Sequence, residues 1–402
     1  MRVVFEDQAF SFELLRTLGH TYARAADVGE CLATAQRIQE GDFESWYAEW
    51  RSTAERVHKG GRESLAAGHF VSAREALLRA SNYYRTAEFF LHGNAADPRI
   101  MDTWQLSVDT FQRAAELFSP QIEPVEIPYE DTTLPGYFYR VDESHAARRT
   151  LIFHGGFDST AEELFAYGAL MARDRGWNVL AFDGPGQGRV IREQGLPFRS
   201  EWEAVVGPVL DYARARPDVD GARIALMGMS MGGYLVARAS AFVDVAATVY
   251  FNGIYSLAES FGQMLPPHLG PLLDDDEALE VEMRKIMAKA PNMEWSVSHG
   301  LYTFGVDTIA SFLRALKDYT IAPVVDQIAA PALVLDSEAE LFFAGQAQRL
   351  HDALNCPKSY IRFTAAEGAE EHCSAGAMGL HTQRVFDWLE ELPAFKSGNP
   401  TP

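Results

Sequence analysis

The run from Arg223 to Ala239, RIALMGMSMGGYLVARA, carries the clearest chemical signal in the chain. An apolar stretch enters Gly228-Met229-Ser230-Met231-Gly232, and a helical pattern follows. G-x-S-x-G between a strand and a helix is an elbow that exposes a serine hydroxyl as a nucleophile. Side chains at the −2 and +2 positions would collide with the neighbouring strand and helix, so both are glycine. The helix beginning there favours developing negative charge. Upstream, TLIFHGGFDST ends another apolar run in His154-Gly155-Gly156. Acyl chemistry needs backbone N–H groups aimed at an oxyanion. The expected donors are Met231 and the residue after the strand, either Gly156 or Phe157. His154 reads as a support for that loop, and FDGPGQG (Asp183 to Gly188) as a structural turn.

A serine on such an elbow takes its acid and then its histidine from loops after later strands. His372 lies in TAAEGAEEHCSAGA, between the strand-like YIRF and a final amphipathic helix, and is the expected base. His381 falls inside that helix. After ALVLD the chain continues Ser337-Glu338-Ala339-Glu340, and the spacing selects Glu340 as the acid, with Asp336 as its rival. A carboxylate here accepts the imidazole N–H and stabilises the imidazolium.

These residues require a sheet to position them. TLIFH, NVLAFD, ARIALMG, ATVYFN, ALVLD and YIRF are continuous apolar runs, as in parallel strands covered on both faces. Amphipathic stretches such as AEELFAYGALMARDRG and EWEAVVGPVLDYARARP separate most of them, which predicts an open α/β sheet with right-handed crossovers. The interval 253–331 is too long for an ordinary connection and reads as helices inserted over the sheet. Residues 1 to about 122 read as helices, ended by Ser119-Pro120. A β-hairpin around Asp131-Thr132-Thr133 follows.

The chain has 402 residues, 47% hydrophobic and 23% charged, the profile of a packed globular protein. With 35 basic and 56 acidic residues its net charge is −21, which disfavours nucleic acid and anionic membrane surfaces as partners. Cys31, Cys356 and Cys373 show no metal spacing and no disulfide framework. The charged start MRVVFEDQAF is unlike a signal peptide, and no run approaches the roughly 18 apolar residues of a membrane span. The expectation is a soluble, cytoplasmic protein without metal or organic cofactor. Nothing in the chain excludes a homodimer.

HGGFDS, FDGPGQG, GMSMGGY, LVLDSEAELFFAGQ, EGAEEHC and the N-terminal SNYYRTAEFFL together resemble a group of α/β hydrolases. That group includes 2,6-dihydroxypseudooxynicotine hydrolase and the fungal heptaketide-shortening hydrolases. The resemblance implies an α/β-hydrolase fold, a mostly parallel sheet with flanking helices, carrying an all-helical N-terminal domain and an inserted helical cap. The implied boundaries are a helical domain 1–122, a core in two parts at 123–255 and 326–396, a cap at 256–325 and a disordered tail at 397–402. It places Ser230 and His372 as nucleophile and base. It departs at the acid, where those relatives follow an aspartate pattern. The group cleaves C–C bonds beside a ketone in aromatic or polyketide substrates, and it also has esterase-like members.

Three functions follow: a C–C hydrolase acting on a polyketide or aryl ketone, a carboxylesterase or lactonase, and a cyclase, acyl-transfer enzyme or ligand-binding relative. Trp46, Trp50, Tyr83, Tyr84, Phe89, Phe90, Trp295 and Tyr302 are expected core aromatics, of which Tyr84 and Trp295 are candidates to stack on a flat substrate. Glu259 is the candidate for its polar end.

Overall fold

The computed structural model describes residues 1–396, and the expected disordered tail at 397–402 lies outside the described residues. The N-terminal region folds into α1 (Gln8–Gly19), α2 (Val28–Ala35), α3 (Phe43–Ala66), α4 (Phe70–Glu88) and α5 (Pro98–Ala115). Asp7, Asp27, Asp42 and Asp97 begin four of these five, their carboxylates accepting first-turn N–H groups that lack a helical partner. The faces they bury hold Phe10, Trp46, Trp50 and Phe90.

The strands among the described residues are β1 (Glu123–Tyr129), β2 (Thr132–Tyr139), β3 (Arg148–His154), β4 (Asn178–Phe182), β5 (Val219–Met229), β6 (Ala247–Phe251), β7 (Ala332–Ser337) and β8 (Lys358–Phe363). They form one sheet in the order β1-β2-β4-β3-β5-β6-β7-β8. β1 and β2 form the expected hairpin, β2 pairs antiparallel with β4, and every later pairing is parallel. β4 and β6 are buried along their whole length because helices cover both faces.

The structure departs from expectation between β3 and β4. The periodic run AEELFAYGALMARDRG is not one helix; a wide turn at Phe165–Ala169 precedes the short α6 (Leu170–Asp174). Gly168 takes an extended backbone there and packs against the ring of Phe153, which interrupts the helical hydrogen-bond ladder. The remaining flanking helices are α7 (Glu203–Ala215) and α8 (Gly232–Ser240).

Between β6 and β7 the chain leaves the sheet as α9 (Leu257–Met264), α10 (Asp276–Met287), α11 (Pro291–Phe304) and α12 (Ile309–Ala315). α10, α11 and α12 share a small core of Leu279, Met283, Met287, Val297 and Ile309, joined by Leu269 from the connection before α10. Two last helices, α13 (Gln346–Ala353) and α14 (Met378–Glu391), flank β8. Among the described residues no helix is long and apolar enough to cross a membrane.

Candidate active site

Ser230 sits immediately after β5, at the carboxyl end of the parallel strands, where open α/β sheets place their ligands. Its φ of 60° is the left-handed strain expected of an elbow. A Cβ at Gly228 would collide with the carbonyl of Gly232, and one at Gly232 with the carbonyl of Gly155. The glycine spacing is therefore a packing requirement of the turn.

The loops after β7 and β8 bring the other two expected residues to this serine. His372 Nε2 lies 2.9 Å from Ser230 Oγ, and His372 Nδ1 lies 2.7 and 2.9 Å from the two carboxylate oxygens of Glu340. Glu340 Oε1 also accepts the N–H groups of Phe342 (2.9 Å) and Phe343 (3.3 Å), and Oε2 accepts Asn252 Nδ2 at 2.5 Å. Asp336 takes no part in this chain; it accepts the Tyr360 hydroxyl at 2.6 Å, with Arg362 nearby.

Burial alone would raise the Glu340 carboxyl, but His372 and the two backbone N–H groups hold it below the ordinary carboxylate range. Burial likewise opposes charging His372, yet the adjoining Cys373 sulfur and the Glu340 carboxylate outweigh it. The balance lies well above the ordinary imidazole value. Both directions favour the imidazolium–carboxylate pair that forms once His372 accepts a proton. Cys373 Sγ stands 3.4 Å from His372 Nε2 and 3.2 Å from Asn252 Oδ1.

Of the candidate oxyanion donors, the Gly156 N–H is committed to Ser159 Oγ at 2.8 Å. Gly156 is thus a structural member of the loop. The N–H groups of Met231 and Phe157 have no acceptor among the described residues, so both remain candidate donors. His154 is buried with Nδ1 2.9 Å from Gly155 O, and Trp202 Nε1 donates to its Nε2 at 3.2 Å. Burial pushes its pKa down to about 4, so it stays a neutral support. His381 is buried in α14 against Tyr167 O.

A cavity of about 400 Å³ opens over Ser230. Phe12, Phe89, Phe90, Trp295, Phe304, Phe312 and Phe342 line it, together with Met229, Met231, Met264, Met283 and Met293. Of the three candidates for substrate contact, Trp295 lines this cavity, whereas Tyr84 and Glu259 do not. Tyr84 is buried inside the N-terminal helices with its hydroxyl 3.2 Å from His58 Nδ1. Glu259 lies on the surface paired with Arg349, because the exposed side of α9 carries it away from the cavity.

One rim of the cavity is charged. Arg16 of α1 donates to both oxygens of Glu163 (2.7 and 2.6 Å), to Asp158 Oδ2 (2.8 Å) and to Glu13 Oε1 (3.2 Å), while Arg85 Nη1 donates to Glu13 Oε2 (3.1 Å). These ions bind the N-terminal helices to the loop after β3. Burial would raise the Asp158 carboxyl, but Arg16 brings it down to about 2.

Sequence reasoning missed four supports. Gln187, inside the turn read only as structural, donates Nε2 to Gly155 O (2.7 Å) and Gly156 O (3.1 Å). Asn252 braces Glu340 from the end of β6, His299 reaches Phe157 O from α11, and Arg16 holds Asp158. The spacing of Trp295 and His299, four apart on one helix, was the one local signal.

Residues 150–374 match the model of the alpha/beta hydrolase family. The chain belongs to this family. As an α/β hydrolase it also matches the model of FrsA-like esterases over residues 31–251. It is 34% identical to the 20-hydroxy-prefusarin hydrolase FUS2 of Gibberella moniliformis, covering 98% of this chain and 99% of that one. It is also 34% identical to the hydrolase LUC6 of a Fusarium species, over 97% and 98%. The crystal structure of the 2,6-dihydroxy-pseudo-oxynicotine hydrolase superposes with a TM-score of 0.75 at 21% identity. That likeness of fold spans 95% of this chain and 98% of the other. The likeness of this α/β hydrolase to these hydrolases runs along its full length, N-terminal helices included.

Proposed function

We propose that this α/β hydrolase is a serine hydrolase that cleaves a C–C bond beside a ketone in an aromatic or polyketide-type small molecule through an acyl-enzyme. The observation that carries the reading is the hydrogen-bonded line from Ser230 Oγ through His372 to Glu340, opening into a cavity walled by aromatic and methionine side chains. His372 takes the Ser230 proton as Oγ attacks the ketone, and the N–H groups of Met231 and Phe157 receive the oxyanion. Collapse expels a carbanion, which His372 protonates. The substrate must delocalise that charge, as a β-diketone or a hydroxylated aryl ketone does. Water activated by the same histidine then releases the acid. The relative whose name gives 20-hydroxy-prefusarin as its substrate supports a small-molecule substrate. In this reading residues 1–122 and 256–325 roof the site.

The second reading, a carboxylesterase or lactonase using the same residues, is favoured by the match to FrsA-like esterases. Incubation with an aryl 1,3-diketone and, separately, a p-nitrophenyl ester, followed by intact-mass spectrometry, separates the two. C–C hydrolysis requires a transient acyl adduct on Ser230 with diketone cleavage, whereas turnover of the ester alone moves the assignment to an esterase. Ser230→Ala abolishes both adducts; retained turnover overturns the mechanism. Glu340→Gln loses far more activity than Asp336→Asn, and it moves the acid limb of the pH profile downward, because His372 loses the carboxylate that favours its charged form.

A further inference from the structure

Three side chains hold parts of the loop after β3. Gln187 binds the carbonyls of Gly155 and Gly156, Ser159 takes the Gly156 N–H, and Arg16 takes the Asp158 carboxylate. Phe157 has its hold from above. His299 of the inserted helix α11 lies with Nε2 3.0 Å from Phe157 O. A carbonyl oxygen only accepts, so this nitrogen carries the proton. Resting on the reading of Ser230 as nucleophile and Phe157 N–H as oxyanion donor, we propose that His299 is a positioning residue that keeps the Phe157 peptides in their donor conformation. The inserted helices thereby complete the oxyanion site as well as covering it.

The imidazole has little freedom to turn away. It stacks on Trp295 (centroids 5.2 Å apart, planes at 12°) and on His92 (4.8 Å, 10°), and the Phe157 ring meets it edge-on at 4.7 Å. Trp295 is anchored in turn by its Nε1–H to Phe89 O at 2.7 Å. Burial, aided by neighbouring His92, pushes the pKa of His299 down to about 3. It is therefore a neutral donor with one tautomer throughout the physiological range. Without it the Phe157 carbonyl loses this partner, and the peptide that carries the Phe157 N–H keeps only the 3.1 Å bond from Gln187 Nε2 to Gly156 O, so the N–H is held less firmly toward the oxyanion.

His299→Gln and His299→Met both lose the stacked ring, but only glutamine keeps an N–H donor at the right reach. The readout is the rate at which a fluorophosphonate labels Ser230, followed by intact-mass spectrometry, because the phosphoryl oxygen needs the same donors. His299→Gln is expected to label within about threefold of the unaltered protein, and His299→Met about 10- to 100-fold more slowly. His299→Phe, which keeps the stack and lacks the donor, should be as slow as His299→Met. Equal rates for the glutamine and methionine variants, or a phenylalanine variant at the unaltered rate, overturn the proposal. An unaltered protein that takes no label at Ser230 overturns it together with the reading on which it rests.

Discussion

Two helical regions roof the cavity over Ser230, and they are built on different principles. Four of the five N-terminal helices begin on aspartate caps, and the region closes around packed rings, Phe10 stacked on Phe90 at 5.0 Å and Trp46 tilted against Trp50 at 5.9 Å. They are joined to the loop after β3 by ions that are almost wholly buried: Glu13, Arg16, Arg85 and Glu163. The inserted helices instead share aliphatic and methionine side chains. Their ion pair between Asp276 and Arg314 is exposed. Rings and buried ions tolerate few arrangements, whereas unbranched methionines adapt to what they cover. On the proposed function one roof would set the geometry of the site, and the other would adjust to the substrate while holding the loop after β3 through His299.

The contrast is open to attack from both sides. The largest effect belongs to Arg16→Ala, which strands the buried carboxylates of Glu163 and Asp158. It should cost about 3–5 kcal/mol in urea unfolding, and a loss under 1 kcal/mol would mean the ions do not fix the N-terminal roof. Acid tests the same network more gently. Asp158 has a folded pKa of about 2 against an ordinary value of 3.8. Its contribution is therefore full above its unfolded pKa and disappears as pH falls toward 2. About 2 kcal/mol should be lost over that window by this group, read by denaturant titration at stepped pH beside Asp158→Asn, which should show a shallower slope. Trp295→Phe keeps an aromatic ring but removes the hydrogen bond joining the two roofs at Phe89 O and part of the stacked surface. About 1 kcal/mol of stability is expected to go, measured by thermal melting. Smallest is Met264→Leu in the adaptable wall, which should change stability by less than about 1.5 kcal/mol and act through KM alone in a steady-state assay. A large fall in kcat there would make that wall as rigid as its partner.

Much of the site was legible because its determinants are local. The glycines around Ser230 answer to backbone atoms of their own turn and of the adjoining loop, so the constraint is written into consecutive positions. The strands stand out because burial on both faces leaves no room for polar residues. Glu340 is indicated by its distance from the end of β7, and the carboxylate meets His372 although the spacing alone left Asp336 as a rival. The errors arise where a distant partner decides. Glu259 is turned outward by Arg349, and Tyr84 inward by the N-terminal core. The helix expected after β3 breaks at Gly168, whose backbone yields to Phe153 from the neighbouring strand.

By itself the sequence determined the strand–helix alternation, the elbow, and the identity of the serine, the histidine and the carboxylate spaced to serve it. These follow from periodicity and from steric rules acting over a few residues. Only the tertiary structure decided that the Gly156 N–H is taken by Ser159 while those of Met231 and Phe157 have no acceptor among the described residues. It also decided that Gln187, Asn252, Arg16 and His299 converge on the site from four separate elements. The physical reason is that a hydrogen bond has no sequence range. Its partners are set by how the sheet, the N-terminal helices and the inserted helices pack, and no local pattern records where those surfaces meet.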